Sequence, residues 1–246
     1  MRILASSESL ISRLIGQVAA SIDPNFSDFS AYRWDDQSGS PQVFVCQTSE
    51  LHSAWKLGVI EEYANSSQFD RLKVWQGKPV FAVACDGMGF HGQHGRIWQT
   101  GLGNLYLSMA IPIKTDVANA AALQVLPAQS IIRVLQDTWR SGIHAEIKAP
   151  NDIIVIHDEA RSPCKLAGIL TELRIQGTQI TQVRYGIGMN IKFAPDIDDI
   201  QHLPATYLLK CGDWGDADAC YRFILFHLLN DVIEQTAGYG LRESLI

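Results

Sequence analysis

The sequence predicts an α+β fold, and two observations predict it. Four apolar strands follow one another between residues 145 and 191, joined by connections too short for crossover helices. Helical patterns flank that run of strands and do not alternate with it, which argues against a βαβ chain.

The elements follow in chain order. Residues 7–22 read as an amphipathic helix, because Leu10, Ile11, Leu14, Ile15 and Val18 recur at spacings of three and four. Residues 23–41 are turn-rich and predict a loop with one short strand; 42–46 predict a strand and 50–63 a helix. A continuous apolar strand is expected at 79–85. At 104–111 the alternation of Leu105, Leu107, Met109 and Ile111 predicts a half-buried strand. A long helix is expected over 116–140, with Asp116 as its N-cap and a kink at Pro127. Strands at 145–149, 153–157, 165–175 and 179–191 are joined by tight turns, which predicts antiparallel neighbours; a last helix covers 217–236.

With 246 residues the chain suits one large domain, or one domain with an appendage, and buries about 70% of its unfolded surface without staples. The 20 basic and 26 acidic residues give a net charge of -6, with no basic block, so no nucleic-acid partner is expected. The five cysteines are scattered without a C-x-x-C pair and read as reduced thiols. No signal-peptide pattern and no stretch of 18 apolar residues occurs, so the expectation is a cytoplasmic protein with no membrane partner.

Gly87, Gly89 and Gly92 spell G-x-G-x-x-G after an apolar strand. That spacing holds a dinucleotide only if a helix starts inside it, and Gly95, Gly101 and Gly103 argue against a helix there. The six glycines from Asp86 to Gly103 suit a loop of approachable amides that wraps an anion, with Arg96 as a cation and Trp98 as an apolar wall. His91 and His94 lack a Cys or carboxylate neighbour in sequence, which disfavours a metal pair.

Three further segments draw attention. Lys148, Asn151 and Asp152 surround a proline turn between two strands. Lys165 opens an apolar strand, where it must snorkel or meet an anion, and Gly168 inside that strand marks a close approach. Gly186 and Gly188 thin one face of the next strand, with Asn190 just beyond; a strand bulge would explain the same residues.

In order, the chain thus carries G-x-x-G-R-x-W-x-x-x-x-G-N-L-Y-L-S from Gly92 to Ser108, K-x-P-N-D at 148–152, K-L-A-G-I-L-x-E at 165–172 and G-I-G-x-N at 186–190. This series resembles the catalytic domain of biotin protein ligases, within the biotin/lipoate ligase superfamily, over roughly residues 79–237. The resemblance implies a mostly antiparallel central sheet flanked by helices. It also implies a reaction in which a biotin carboxylate attacks the α-phosphate of MgATP, and a lysine of a biotin-accepting carrier protein then takes the acyl group. By resemblance Lys165 is the catalytic lysine, Asp152 the adenylate- and Mg2+-associated acid, and Arg96 the loop cation. Gly92, Gly95, Trp98, Asn104, Lys148, Asn151, Gly168, Gly186, Gly188 and Asn190 fall at ligand-binding positions.

The chain also departs from the family pattern. Where the family loop carries arginines, this chain has His91, Gln93 and His94, so most of the fixed positive charge is absent at neutral pH. Ala149 stands for the motif tryptophan, and the nearest counterpart of the family's S-T-N segment is Thr48-Ser49-Glu50. Residues 1–45 match nothing in the family and are expected to be an N-terminal extension to a catalytic domain at 46–246, with no helix-turn-helix and no C-terminal SH3-like domain. Three functions stay open: a ligase acting on biotin or a similar carboxylate, a paralogue that binds a small carboxylate or nucleotide without full transfer, and a lipoate or octanoate ligase or transferase.

Overall fold

A computed structural model gives the fold and describes residues 1–15, 19–23, 25, 27–36, 39–136, 143–157, 162–196, 203–211, 214 and 216–241. One ten-stranded sheet organises them: β1 (Arg2–Ala5), β2 (Ala19–Asp23), β3 (Gln42–Gln47), β4 (Leu57–Ala64), β5 (Val80–Gly87), β6 (Leu105–Asp116), β7 (Ile143–Lys148), β8 (Asp152–His157), β9 (Cys164–Gln176) and β10 (Gln179–Met189). Its order is β2-β3-β1-β4-β5-β6-β10-β9-β8-β7. Every pair is antiparallel except β1 with β4 and β4 with β5. The chain is α+β with a mostly antiparallel sheet, as the sequence predicts.

Helices α1 (Glu8–Ile15), α3 (Ala120–Gln136) and α4 (Ala217–Ala237) share one apolar core against the sheet. The opposite face is covered near its middle by α2 (Gln68–Arg71), the turn after it and residues 27–36, with Phe29, Tyr32, Leu72 and Trp75 packed on β4 and β5. The last helix is capped by Asp216, whose carboxylate accepts the amides of Asp218 and Ala219. Burial pushes the thiols of Cys46, Cys85, Cys211 and Cys220 upward, so these are core residues and poor nucleophiles.

The expected elements are corrected at several points. The helix expected over 7–22 ends at Ile15; residues 16–18 lie outside the described ones, and Ala19–Asp23 is a strand paired with β3. That short segment has a weak pattern of its own, and pairing decides its state. The helix expected over 50–63 is β4 from Leu57 onward: Gly58 weakens a helix there, and a Cβ at Gly58 would sit 2.6 Å from the Phe81 ring of β5. Strand β6 is buried on both faces from Leu105 to Ile113, because helices cover one side and α2 the other. Asp116 caps a short 3-10 turn over Val117–Asn119, from which α3 continues through Pro127 to Gln136; residues 137–140 of that expected helix are not among the described ones. The boundary expected at 45 falls within β3, and β1 inserts between β3 and β4 in the one sheet. The connection at 158–163 is described only at its end.

Candidate active site

The register of the sheet builds the floor of the site. Tyr106 of β6, Gly188 of β10, Gly168 of β9, Asp152 of β8 and Lys148 of β7 are successive partners in one cross-strand row. Beside it, Ser108, Gly186 and Leu170 form the next row on the same face. The glycines let aromatic rings lie flat on the sheet. A Cβ at Gly168 would be 2.7 Å from the Trp98 ring, one at Gly188 2.8 Å, and one at Gly186 2.9 Å from Phe69 of α2.

A β-bulge turns Lys165 into this floor. Asp152 faces Gly168, but the register slips between Ile153 and Ile154, so that Lys165 and not Leu166 opposes Ile154. The extra residue moves Lys165 to the face that Asp152 and Ile154 share. Its ammonium lies 2.7 Å from Asp152 Oδ1 and 5.3 Å from the centre of the Trp98 ring. Lys165 also anchors the segment after β10, since its amide donates to Pro204 and its carbonyl accepts from Thr206.

The glycine-dense stretch is not helical. It folds as a small hairpin: the Trp98 amide donates to the Phe90 carbonyl at 2.9 Å, and the Gly92 amide to the Arg96 carbonyl at 2.7 Å. His94 at φ 58° and Gly95 at φ 70° make its tip. The base is fixed by Phe90 stacked on Tyr106 at 4.8 Å and by the Tyr106 hydroxyl, which accepts the Gly101 amide and donates to the Gly101 carbonyl. Burial pushes the Tyr106 hydroxyl up to about 12, so it stays a proton donor.

Together these parts enclose a cavity of about 570 Å³. Of the residues predicted from sequence, Lys165, Asp152, Arg96, Gly92, Trp98, Lys148, Asn151, Gly168, Gly186, Gly188 and Asn190 line it. Gly95 lines a shallower recess beyond His91, and Asn104 lies under the site, fully buried. Asn104 Oδ1 accepts the amides of Ile191, Lys192 and Phe193, while its Nδ2 donates to the Phe193 carbonyl and to Asn190. Asn190 in turn donates to Thr206, and Asn151 donates to Ile169. These asparagines brace the strand ends behind the cavity.

The cavity is electropositive in make-up. Lys148, Lys165 and Arg96 face one carboxylate, Asp152, among its described lining residues. No group of three or more His, Cys, Asp or Glu able to hold a metal occurs among the described residues. A lone carboxylate fits a Mg2+ that arrives on nucleotide phosphates, and not a resident ion. Trp98 Nε1 is buried without a hydrogen-bond partner, a donor left open beside Gly188.

Several site residues were not anticipated. Thr48-Ser49-Glu50 lies away from the cavity, where the Glu50 carbonyl binds Asn230. The segment that does reach it is Asn65-Ser66-Ser67 between β4 and α2, through Ser67 and the following Phe69. The serine pair was visible in the sequence, but only a strand at 57–64 reveals that it opens onto the sheet face. Below it, buried Glu61 binds Arg71, Gln68 and Tyr32 and fixes α2. His91 meets Asp70 of α2 at 2.8 Å, a carboxylate partner its neighbours in sequence do not supply.

Residues 64–190, more than half of the chain, match the model of the biotin/lipoate A/B protein ligase family, and the chain belongs to that family. Its relatives include the bifunctional ligase/repressor BirA of Bacillus subtilis, 27% identical over 137 residues, which are 54% of this chain and 40% of that protein. The biotin--[acetyl-CoA-carboxylase] ligase of Paracoccus denitrificans is 26% identical over 155 residues, 62% of each chain. This chain thus spans less than two thirds of the length of either relative. Among solved structures, the biotin protein ligase from Aquifex aeolicus in complex with biotin and ATP aligns over 76% of this chain and 72% of its own, with a TM-score of 0.54 and 22% identity, a likeness of fold. No helix among the described residues is long and apolar enough to cross a membrane.

Proposed function

We propose that this chain is an adenylate-forming ligase of the biotin protein ligase type. It activates the carboxyl group of biotin, or of a similar acid, with MgATP and passes the acyl group to a lysine of an acceptor protein. The observation that carries this reading is the Lys165–Asp152 pair, 2.7 Å apart on a glycine floor beneath Trp98. Membership in the family and the ligands named for the Aquifex aeolicus ligase support it.

In the first step a carboxylate oxygen of the acid attacks the α-phosphorus of ATP, the bond to pyrophosphate breaks, and the acyl-adenylate forms. Two anions must approach one another, so a fixed cation is needed where charge concentrates. Lys165 supplies it, aimed by Asp152 and by the Trp98 face. Lys148 and Arg96 add charge at the cavity wall. Mg2+ carried on the nucleotide would neutralise phosphate charge, and Asp152 is the residue that would hold it. In the second step the acceptor amine attacks the acyl carbon and AMP leaves. The hairpin that carries Trp98 keeps water from the mixed anhydride until then.

A second reading is favoured by the loop. Of the positions aligned with family arginines, only Arg96 is arginine, and its exposed side chain has no hydrogen-bond or ion-pair partner among the described residues. A protein that binds a small carboxylate or nucleotide without transferring it needs no more charge than this. Calorimetric titration with biotin, lipoate and octanoate, each with and without MgATP, separates the readings. A ligase consumes ATP heat-producingly with one acid; a binding paralogue shows simple saturation; absence of binding by all three acids and by MgATP defeats both.

A further inference from the structure

Among the described residues, one side-chain polar contact ties the tip of the glycine hairpin to the rest of the protein. Ile97 is 87% exposed and contributes no packing, and Arg96, His94 and Gln93 make no side-chain hydrogen bond or ion pair among the described residues. The tie is His91, whose Nε2 meets Asp70 Oδ2 at 2.8 Å while its Nδ1 lies 3.2 Å from the Gly92 carbonyl. Both ring nitrogens therefore face acceptors. A neutral imidazole carries one N–H and satisfies only one of them; the imidazolium satisfies both.

We propose that His91 and Asp70 form a proton-dependent latch that holds the glycine hairpin over the cavity, with Asp70 as the positioning residue that acts through His91. The charged groups around His91 agree with this role. Asp70 approaches from α2, and Arg184 of β10 opposes the imidazolium, but its guanidinium is already bound to Glu172 of β9 and to the Phe69 carbonyl. Glu172 and His94 border the recess on the outer side of His91. Burial disfavours the charge on His91, and the hydrogen bonds to Asp70 and Gly92 outweigh it, raising the ring from its ordinary 6.5.

The direction follows. A group raised in the folded state stabilises below its ordinary value and loses that effect as pH rises through the raised one. The latch is closed in mildly acidic solution and loosens in alkaline solution. Its consequence, slower escape of an acyl-adenylate at lower pH, rests on the ligase reading; the latch itself does not.

Amide hydrogen exchange on the ligand-free protein tests it. The Trp98 and Gly92 amides, which close the hairpin, report its opening. Between pH 6 and 9, after correction for intrinsic exchange, their protection is expected to fall about two- to fivefold, the range of a half-exposed ion pair. Asp70→Asn is expected to show the low protection at every pH, and His91→Arg the high protection at every pH. Amides of β5 and β6 serve as the check that each variant is folded. Protection that is flat with pH in the wild type, or unchanged in Asp70→Asn, overturns the latch. Because no ligand is present, that failure leaves the ligase reading intact, and a failed ligase reading leaves the latch standing.

Discussion

Adding a single methyl group at Gly188 tests the glycine floor. An alanine Cβ there would lie 2.8 Å from Cε2 of Trp98, 3.0 Å from Cζ2 and 3.1 Å from Nε1, against an ordinary contact from 3.4 Å upward. The ring cannot slide along the sheet toward β9, because it already sits over Gly168 with a notional Cβ only 2.7 Å away. It must lift into the cavity, and Lys165, whose ammonium rests over it, loses its guide. Overpacking costs about 1–3 kcal/mol. The hairpin that carries Trp98 can give, and replacing glycine in a strand returns about 0.5–1 kcal/mol. The expected net loss of stability for Gly188→Ala is therefore about 0–2.5 kcal/mol, read from urea unfolding. Ligand binding should suffer too: MgATP affinity, measured calorimetrically, is expected to fall at least about tenfold, or 1.4 kcal/mol. In a Trp98→Ala background the same substitution should be nearly silent, because the clash is gone. Wild-type affinity in Gly188→Ala, or an equal loss in both backgrounds, would mean that the seat of Trp98 on the glycine floor does not govern binding.

Other perturbations follow from the same geometry. Asn104→Ala takes the shared acceptor from three backbone amides, of which that of Ile191 is buried, and should cost about 1–3 kcal/mol in urea unfolding, because the side chain braces residues 191–193. Glu61→Ala leaves Arg71 buried without its carboxylate and should cost about 3–5 kcal/mol by the same measurement, whereas Glu62→Ala on the exposed side of β4 should cost under about 1 kcal/mol. Asp231 is buried in part, which disfavours its charge, but hydrogen bonds from Arg133 and Ser130 outweigh this and lower its carboxyl. Asp231→Asn should therefore lose about 1 kcal/mol at pH 6–7, with the difference from wild type vanishing as pH falls through the lowered value. A loss that stays the same as the solution is acidified would contradict this account of Asp231.

The sequence made the four C-terminal strands legible because their periodicity and turn residues agree with the pairing that forms. It misled at 50–63 for a physical reason: Glu61 is buried for its ion pair with Arg71, and a buried charge within an apolar run imitates the polar side of a helix. Without β4 as a strand, Ser67 and Phe69 could not be placed at the site. The motif residues were mostly legible as a group, since Lys148, Asp152, Lys165, Gly168, Gly186 and Gly188 converge on one face. Their division of labour was not. Asn104 and Asn190 look like ligand donors in sequence, and only the structure reveals that their amides are spent on the backbone. The bulge that turns Lys165 toward Asp152 leaves no trace in hydrophobic pattern, because register depends on the partner strand.

In the proposed reaction the pair formed by Lys165 and Asp152 serves acyl-adenylate formation. Release of pyrophosphate from MgATP, followed with biotin, lipoate and octanoate in separate reactions, tests it most directly. Release that depends on one of these acids and falls at least about a hundredfold in Lys165→Ala, with the variant still folded, is the predicted result. Release with none of the three, or release that Lys165→Ala leaves unchanged, would contradict it.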